Sequence, residues 1–210
     1  MFVFVFVFIA ISFIVTTAAA AVMAKEVFAK AKTAKGMMKG EVPVIILQGE
    51  AAHAGFVQTV DPVPLSLKSV VGLPFVPFIR GGQRELVVLA LAAKLVARKQ
   101  GWQYFIAMPS QIGKAAYLQV KAELPQVTPR LIWEALLAHE LYHAHCFLER
   151  GMKGWPSVYH LYKEEVQAYT LQFRMLGHDV ESEQIDTAIM RFASHSVEIS
   201  GARTYLPEYV

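Results

Sequence analysis

TPRLIWEALLAHELYHAHCFLERG, residues Thr128–Gly151, is the stretch whose reading decides the fold. Thr128 followed by Pro129 is a strong helix start, since a threonine hydroxyl can cap a free backbone N–H and proline suits the first helical position. Nothing interrupts the stretch until Gly151, so the predicted helix runs to about Arg150 and stops there. His139 and His143 are spaced i, i+4, and their imidazoles leave one face of that helix on successive turns. Two neutral ring nitrogens so placed can reach one zinc ion at about 2.0–2.1 Å. Glu140 stands beside the first histidine, where it can approach the metal's open position without filling it, take a proton from an attacking water and return it to a leaving amine. With seven histidines in 210 residues, chance alone would produce this H-E-x-x-H pattern in roughly 1–2% of shuffled chains. Its place inside a capped helix, with Leu136, Leu137, Leu141 and Tyr142 as an apolar shell, adds weight.

Two histidines and a water leave one ligand to find. An H-x-x-G-x-x-H continuation would supply a third histidine after a glycine bend, but Cys146 and Glu149 hold the corresponding positions. Cys146 shares the face of His139 at i+7. Two unbroken turns put it about 10 Å away along the axis, too far to share an ion. His145 points to the other side of the helix, as a supporting or surface residue. A following helix, expected from Pro156 or Ser157 to Gly177, carries Glu164 and Glu165. Glu165 has Leu161, Tyr162, Ala168 and Tyr169 at i±3 and i±4 and so emerges from an apolar face, where a carboxylate is costly unless paired or metal-bound. Glu164 has His160 and Gln167 as polar neighbours and is expected to be exposed. Glu165 is the expected third ligand.

His139-Glu140-x-x-His143, a 21-residue gap and then Glu165-x-x-Ala168 resemble the gluzincin zinc metallopeptidases, and among them the membrane-bound branch. The resemblance spans about residues 129–172. It implies a zincin-like α+β fold with a backing helix, a small sheet, an active-site helix and a ligand helix. It also implies Zn2+ held by His139, His143 and Glu165, Glu140 as base, and hydrolysis of a protein or peptide substrate. That substrate would pair with an edge strand upstream of the active helix, for which Trp102–Met108 is the candidate. Many relatives carry Asp four residues after the ligand Glu, orienting a zinc-bound His; here that position is Tyr169, and either Tyr169 or another group takes the role. An oxyanion donor is expected as well, with Tyr169 leading Tyr162, His178 and His195.

Upstream, Phe2 to Met23 contains no charged residue and is long enough to cross a bilayer core of about 30 Å as a helix. It is read as an uncleaved anchor rather than a signal peptide, because no Lys or Arg precedes it and it exceeds the usual apolar core. Lys25, Lys30, Lys32, Lys35 and Lys39 follow, against the single acid Glu26, so the positive-inside rule places the body in the cytoplasm of a single-pass membrane protein. This flank suits anionic lipid headgroups, and it supplies most of the net charge of +3, which is therefore no sign of nucleic acid. The lone Cys146 permits no internal disulfide. The expected organisation is an anchor over 1–24, a basic juxtamembrane segment over 25–40 and a metallopeptidase domain over 41–210. A catalytically silent zincin-fold component of a membrane assembly or virion is the alternative. A deformylase-like hydrolase would need an upstream Cys ligand that the chain lacks.

Between anchor and motif, residues 24–40 read as a helix ending in the Gly36–Gly40 region, and Val42–Leu47 as a strand. Pro62, Pro64, Pro74 and Pro77 exclude a long helix from Asp61 to Pro77. An amphipathic helix is expected over Gln83–Gln100, a strand over Trp102–Met108, a further one over Tyr117–Val120, and a last helix over Glu183–Ser200, closed by Gly201.

Overall fold

A computed structural model describes residues 22, 24–51, 55–58 and 81–204. Their order is α1 (residues 24–33), β1 (Lys35–Lys39), β2 (Val42–Ala51), β3 (Gly55–Gln58), α2 (Gly81–Gln100), β4 (Tyr104–Ile112), α3 (Lys114–Glu123), α4 (Pro129–Glu149), α5 (Val158–Met175) and α6 (Glu183–Thr204). The α+β composition expected from the sequence is the one observed. Two compact units share the chain, one ending at Ser110 and formed by the early elements, the other carrying α3 to α6.

In the first unit the strands form one sheet in the order β1-β2-β4-β3. β1 pairs antiparallel with β2, Lys35 opposite Ile46 and Lys39 opposite Val42, leaving Gly40 and Glu41 as a two-residue turn. Gly40 has φ +60, the left-handed conformation such a turn requires. Val44 and Ile45, adjacent in β2, are both fully buried, as are Phe105 and Ile106 in β4. Successive strand residues point to opposite faces, so the sheet is covered on both sides at its centre. Pro109 cannot donate to a strand ladder. Next to it the Ser110 hydroxyl bridges Gly49, accepting from its N–H at 3.1 Å and donating to its carbonyl at 3.2 Å.

Several expectations are corrected here. Residues 24–40 are not one helix: α1 stops at residue 33 and the chain turns into β1. Lysines at 35 and 39 favour solvent in either conformation, whereas close packing of Gly36 on the Trp102 ring favours the strand, since a Cβ there would lie 2.8 Å from Trp102 Cη2. The Trp102–Met108 strand exists as β4, Tyr104–Ile112, but in the sheet order it lies between β2 and β3 and not at the edge. Tyr117–Val120 belongs to helix α3, because Ala116, Tyr117, Val120 and Leu124 pack at helical spacing against the core of Ile112, Val127, Ile132, Ala135 and Leu176. Helix α6 continues through Gly201 to Thr204. The anchor lies outside the described residues except for its last positions, and so does the Asp61–Pro77 stretch. Among the described residues no helix is long and apolar enough to cross a membrane.

Helix α4 forms as its sequence dictates. The Thr128 hydroxyl accepts from Leu131 N at 3.1 Å, and Pro129 fills the first position. At the other end Gly151 N donates to Leu148 O and Met152 N to Phe147 O, both at 2.9 Å, the paired closure that places a left-handed residue just past the helix. Gly151 is that residue, with φ +64. α4 packs on α5 and α5 on α6. A side chain at 151 would meet nothing within 4 Å, so only backbone strain opposes it. Gly151→Ala is expected to cost roughly 1–2 kcal/mol in a denaturant titration, and Gly151→Asn less, because asparagine tolerates this conformation better.

Candidate metal centre

Seven buried residues of α4 and α5 are apolar and make ordinary packing; five buried polar side chains do not. His139, Glu140 and His143 on α4 and Glu164 and Glu165 on α5 are each 9% exposed or less, and they are the buried polar or charged residues among those described. Leu161 and Ala168 flank the two glutamates on the buried face of α5.

The geometry is compact. His139 Nε2 and His143 Nε2 are 3.1 Å apart, and Glu165 Oε2 lies 3.5 Å from each. Four-coordinate zinc with bonds of about 2.0–2.1 Å requires its ligand atoms about 3.3–3.4 Å from one another. The three atoms therefore outline one face of a tetrahedron of zinc's size. They also fit in chemistry. Glu165 Oε2 is buried and accepts no hydrogen bond, its contacts to the imidazoles being too long for one. Such an orphaned carboxylate oxygen is expensive unless a cation or proton compensates it. His139, His143 and Glu165 could hold a metal ion.

Electrostatics describe the same need for positive charge. Burial, the strongest single influence on His143, works against its protonation. Glu164 and Glu165 beside it and the charge of Glu140 outweigh burial and push its pKa up to about 10. Burial likewise pushes the Glu165 carboxyl up, but His139 and His143 more than offset it and hold the group at about 2.

Glu164 was expected at the surface and is buried. Its Oε1 accepts from His143 Nδ1 at 2.9 Å, and its Oε2 accepts from Arg150 Nη1. That carboxylate orients the second histidine, with its proton on Nδ1 and its Nε2 turned toward Glu165. Sequence reasoning missed it by weighing His160 and Gln167. The usable signal was Leu161 at i−3 and Ala168 at i+4, the same inward face that marks Glu165.

Tyr169 lies against the first histidine, its ring 4.5 Å from that of His139 and nearly perpendicular to it. Its hydroxyl shares a 2.9 Å hydrogen bond with Ser196 of α6. Tyr169 thus meets His139 by ring packing and not by a hydrogen bond, and His139 Nδ1 has no hydrogen-bond partner. Burial raises the Tyr169 pKa, the Ser196 contact lowers it, and the charges of Glu165 and Glu140 raise it further, so the phenol keeps its proton.

The remaining candidates lie elsewhere. His145 is exposed and pairs with Glu149 at 3.1 Å. Cys146 is half-buried and outside the His139–His143–Glu165 group. His178 rests on Phe173 with ring centroids 5.1 Å apart, and His195 is exposed on α6. Tyr162 is half-buried on α5. Compared with protein-family models, with curated proteins and with solved structures, the chain matches none.

The Glu165 carboxyl titrates in the folded chain below its ordinary value of 4.5. Such a group contributes stability that is fully present above that ordinary value and lost as pH falls through the folded value. Metal-free protein should therefore lose stability between about pH 4.5 and pH 2, and Glu165→Gln should flatten part of that slope in urea titrations at stepped pH.

Proposed function

We propose that this chain is a membrane-anchored zinc peptidase of the gluzincin kind, with His139, His143 and Glu165 as metal ligands and Glu140 as general base. One observation carries the reading: two imidazole nitrogens and an orphaned carboxylate oxygen, from two packed helices, sit 3.1–3.5 Å apart in a buried site. When bound, zinc would polarise the scissile carbonyl and make water more acidic. The other work falls to the chain's own groups. Glu140, buried one residue after His139, is close enough to raise the proton affinity of both His143 and Tyr169. In this reading it takes the water's proton and delivers it to the departing amine. Tyr169 is the donor proposed for the developing oxyanion, having a phenol that stays protonated beside His139.

The substrate class follows from the resemblance: a protein or peptide. The anchor over 1–24 and a cytoplasmic body belong to the same proposal. In support, Lys25, Phe28, Ala29 and Lys32 share one exposed face of α1 while Val27 is buried opposite them. Two lysines around an exposed phenylalanine suit the headgroup layer of an anionic bilayer.

A second reading, a catalytically silent zincin-fold component of a membrane assembly or virion, is favoured by one observation: Ser196 engages the hydroxyl of Tyr169. Turnover separates the two. The purified 210-residue chain should hold about one zinc, and Glu140→Gln should keep that zinc while lowering hydrolysis of casein or a peptide library by about 100-fold or more. Zinc without turnover in the unsubstituted chain selects the silent reading. Turnover that survives Glu140→Gln removes Glu140 from its role.

A further inference from the structure

Arg150 is the residue whose placement the proposed chemistry does not explain. It caps the C-terminus of α4, its N–H donating to Cys146 O at 3.1 Å, and the left-handed turn at Gly151 follows at once. A guanidinium there would ordinarily extend into water. Instead the side chain is 22% exposed, with Nη1 donating to Glu164 Oε2, Nε donating to Lys153 O at 3.3 Å, and the guanidinium carbon 5.7 Å from the centre of the Trp155 ring. The turn after α4 thus folds back to hold one planar cation against one buried carboxylate.

We propose that Arg150 is a positioning residue for His143, acting through Glu164. This rests on the metal reading above and adds to it a residue seven positions beyond the second ligand. The chain of contacts runs Arg150 Nη1 to Glu164 Oε2, then Glu164 Oε1 to His143 Nδ1, leaving His143 Nε2 directed at Glu165 and His139. A carboxylate offers two oxygens and no donor. With Oε2 engaged by the guanidinium, Oε1 is left for the imidazole N–H, and the ring cannot turn about its own axis without giving up that bond. The guanidinium also balances one of the carboxylates that crowd this site, so Glu164 can remain a charged acceptor beside Glu165. Without Arg150, Glu164 would be free to rotate, and His143 would lose the support that aims its Nε2. Partners of this kind typically change metal affinity 10–100-fold.

Arg150 and Glu164 also border a cavity of about 380 Å³ whose walls include Tyr142, Cys146 and Lys163. Truncation of Arg150 would open that cavity further, toward Glu164, and let a free guanidinium ion take the vacated place.

The test uses the full chain and the variants Arg150→Ala, Arg150→Lys, Glu164→Ala and the Arg150→Ala/Glu164→Ala pair. Zinc affinity is read by competition with a chromophoric chelator. The first readout is a 10–100-fold loss in Arg150→Ala, partial recovery in Arg150→Lys, and a double variant no worse than Glu164→Ala alone, because a residue acting through Glu164 has nothing left to act on. Guanidinium at sub-denaturing concentration should restore affinity to Arg150→Ala and leave Glu164→Ala unchanged; a purely structural role of the arginine in the turn would not give that pattern. The second readout needs no metal: nitrogen-15 histidine NMR of the chelator-treated chain. The His143 Nδ1–H signal should be protected and shifted downfield in the unsubstituted protein and in Arg150→Lys, and exchange-broadened in Arg150→Ala. Losses that add in the double variant, or an unchanged Nδ1–H signal in Arg150→Ala, overturn the proposal. If the unsubstituted chain binds no zinc, the metal reading fails, and the NMR comparison alone decides whether Arg150 positions His143.

Discussion

Everything in the second unit is arranged around one costly contact: three electron-rich atoms from two helices held within 3.5 Å of each other, away from water. Without an ion, the proton of His143, whose pKa is pushed up to about 10, compensates the carboxylates around it and lets its Nε2 share a 3.1 Å hydrogen bond with that of His139; a buried unpaired charge would be among the most destabilising features a fold can carry. The surrounding structure explains how the contact is held. α4 is fixed at one end by Thr128 and Pro129 and at the other by the Gly151 turn, so the positions of its histidines along the axis cannot drift. α5, capped by Ser157 and packed on both α4 and α6, fixes Glu165 opposite them.

The two histidines are supported by different means. His143 is oriented by a charged hydrogen bond, with Glu164 held in turn by Arg150. His139 is oriented by shape, through the edge-on ring of Tyr169, whose hydroxyl is tied to Ser196 and whose ring lies near Phe192. An aromatic wall fixes a ring's plane but supplies no acceptor for Nδ1. His139 is therefore steered by the packing of α6, and His143 by electrostatics at the end of α4. Position 169, where the resemblance to gluzincins departs, is where the two kinds of support divide the work.

How much of this was legible beforehand depends on how local each signal is. The helix carrying His139 and His143 could be read from its own caps and spacing, and Glu165 from the apolar positions one turn either side of it. Those are properties of a single helix. Glu164 was misread because His160 and Gln167 were weighed above Leu161 and Ala168 within α5, and because the partners that satisfy it, His143 and Arg150, come from α4 and its C-terminal cap. β1 was missed for a related reason: Lys35-Gly36-Met37-Met38-Lys39 has no strong preference of its own, and pairing with β2 and the Trp102 ring against Gly36 decide its state. Tyr117–Val120 is β-branched and aromatic enough to read as a strand, yet the core of Ile112, Val127 and Ile132 needs a 3.6-residue period there. β4 was placed correctly as a strand and wrongly as an edge, because strand order is a tertiary fact.

The pairing of Glu164 with Glu165 shows why adjacent residues of like charge can both be buried on one helix. Successive positions diverge by about 100° around the axis, so the two carboxylates leave α5 toward different partners. Glu164 turns toward the Arg150 end of α4, where a guanidinium and an imidazole N–H satisfy both its oxygens. Glu165 turns toward the two Nε2 atoms, where nothing donates to Oε2. Had both been satisfied within the protein, the cluster would read as a structural salt-bridge network. Had neither been, α5 could not bury that face at all. The two carboxylates thus differ in kind: Glu164 is hydrogen-bonded at both oxygens, whereas Glu165 faces the two imidazoles with an Oε2 that accepts no hydrogen bond.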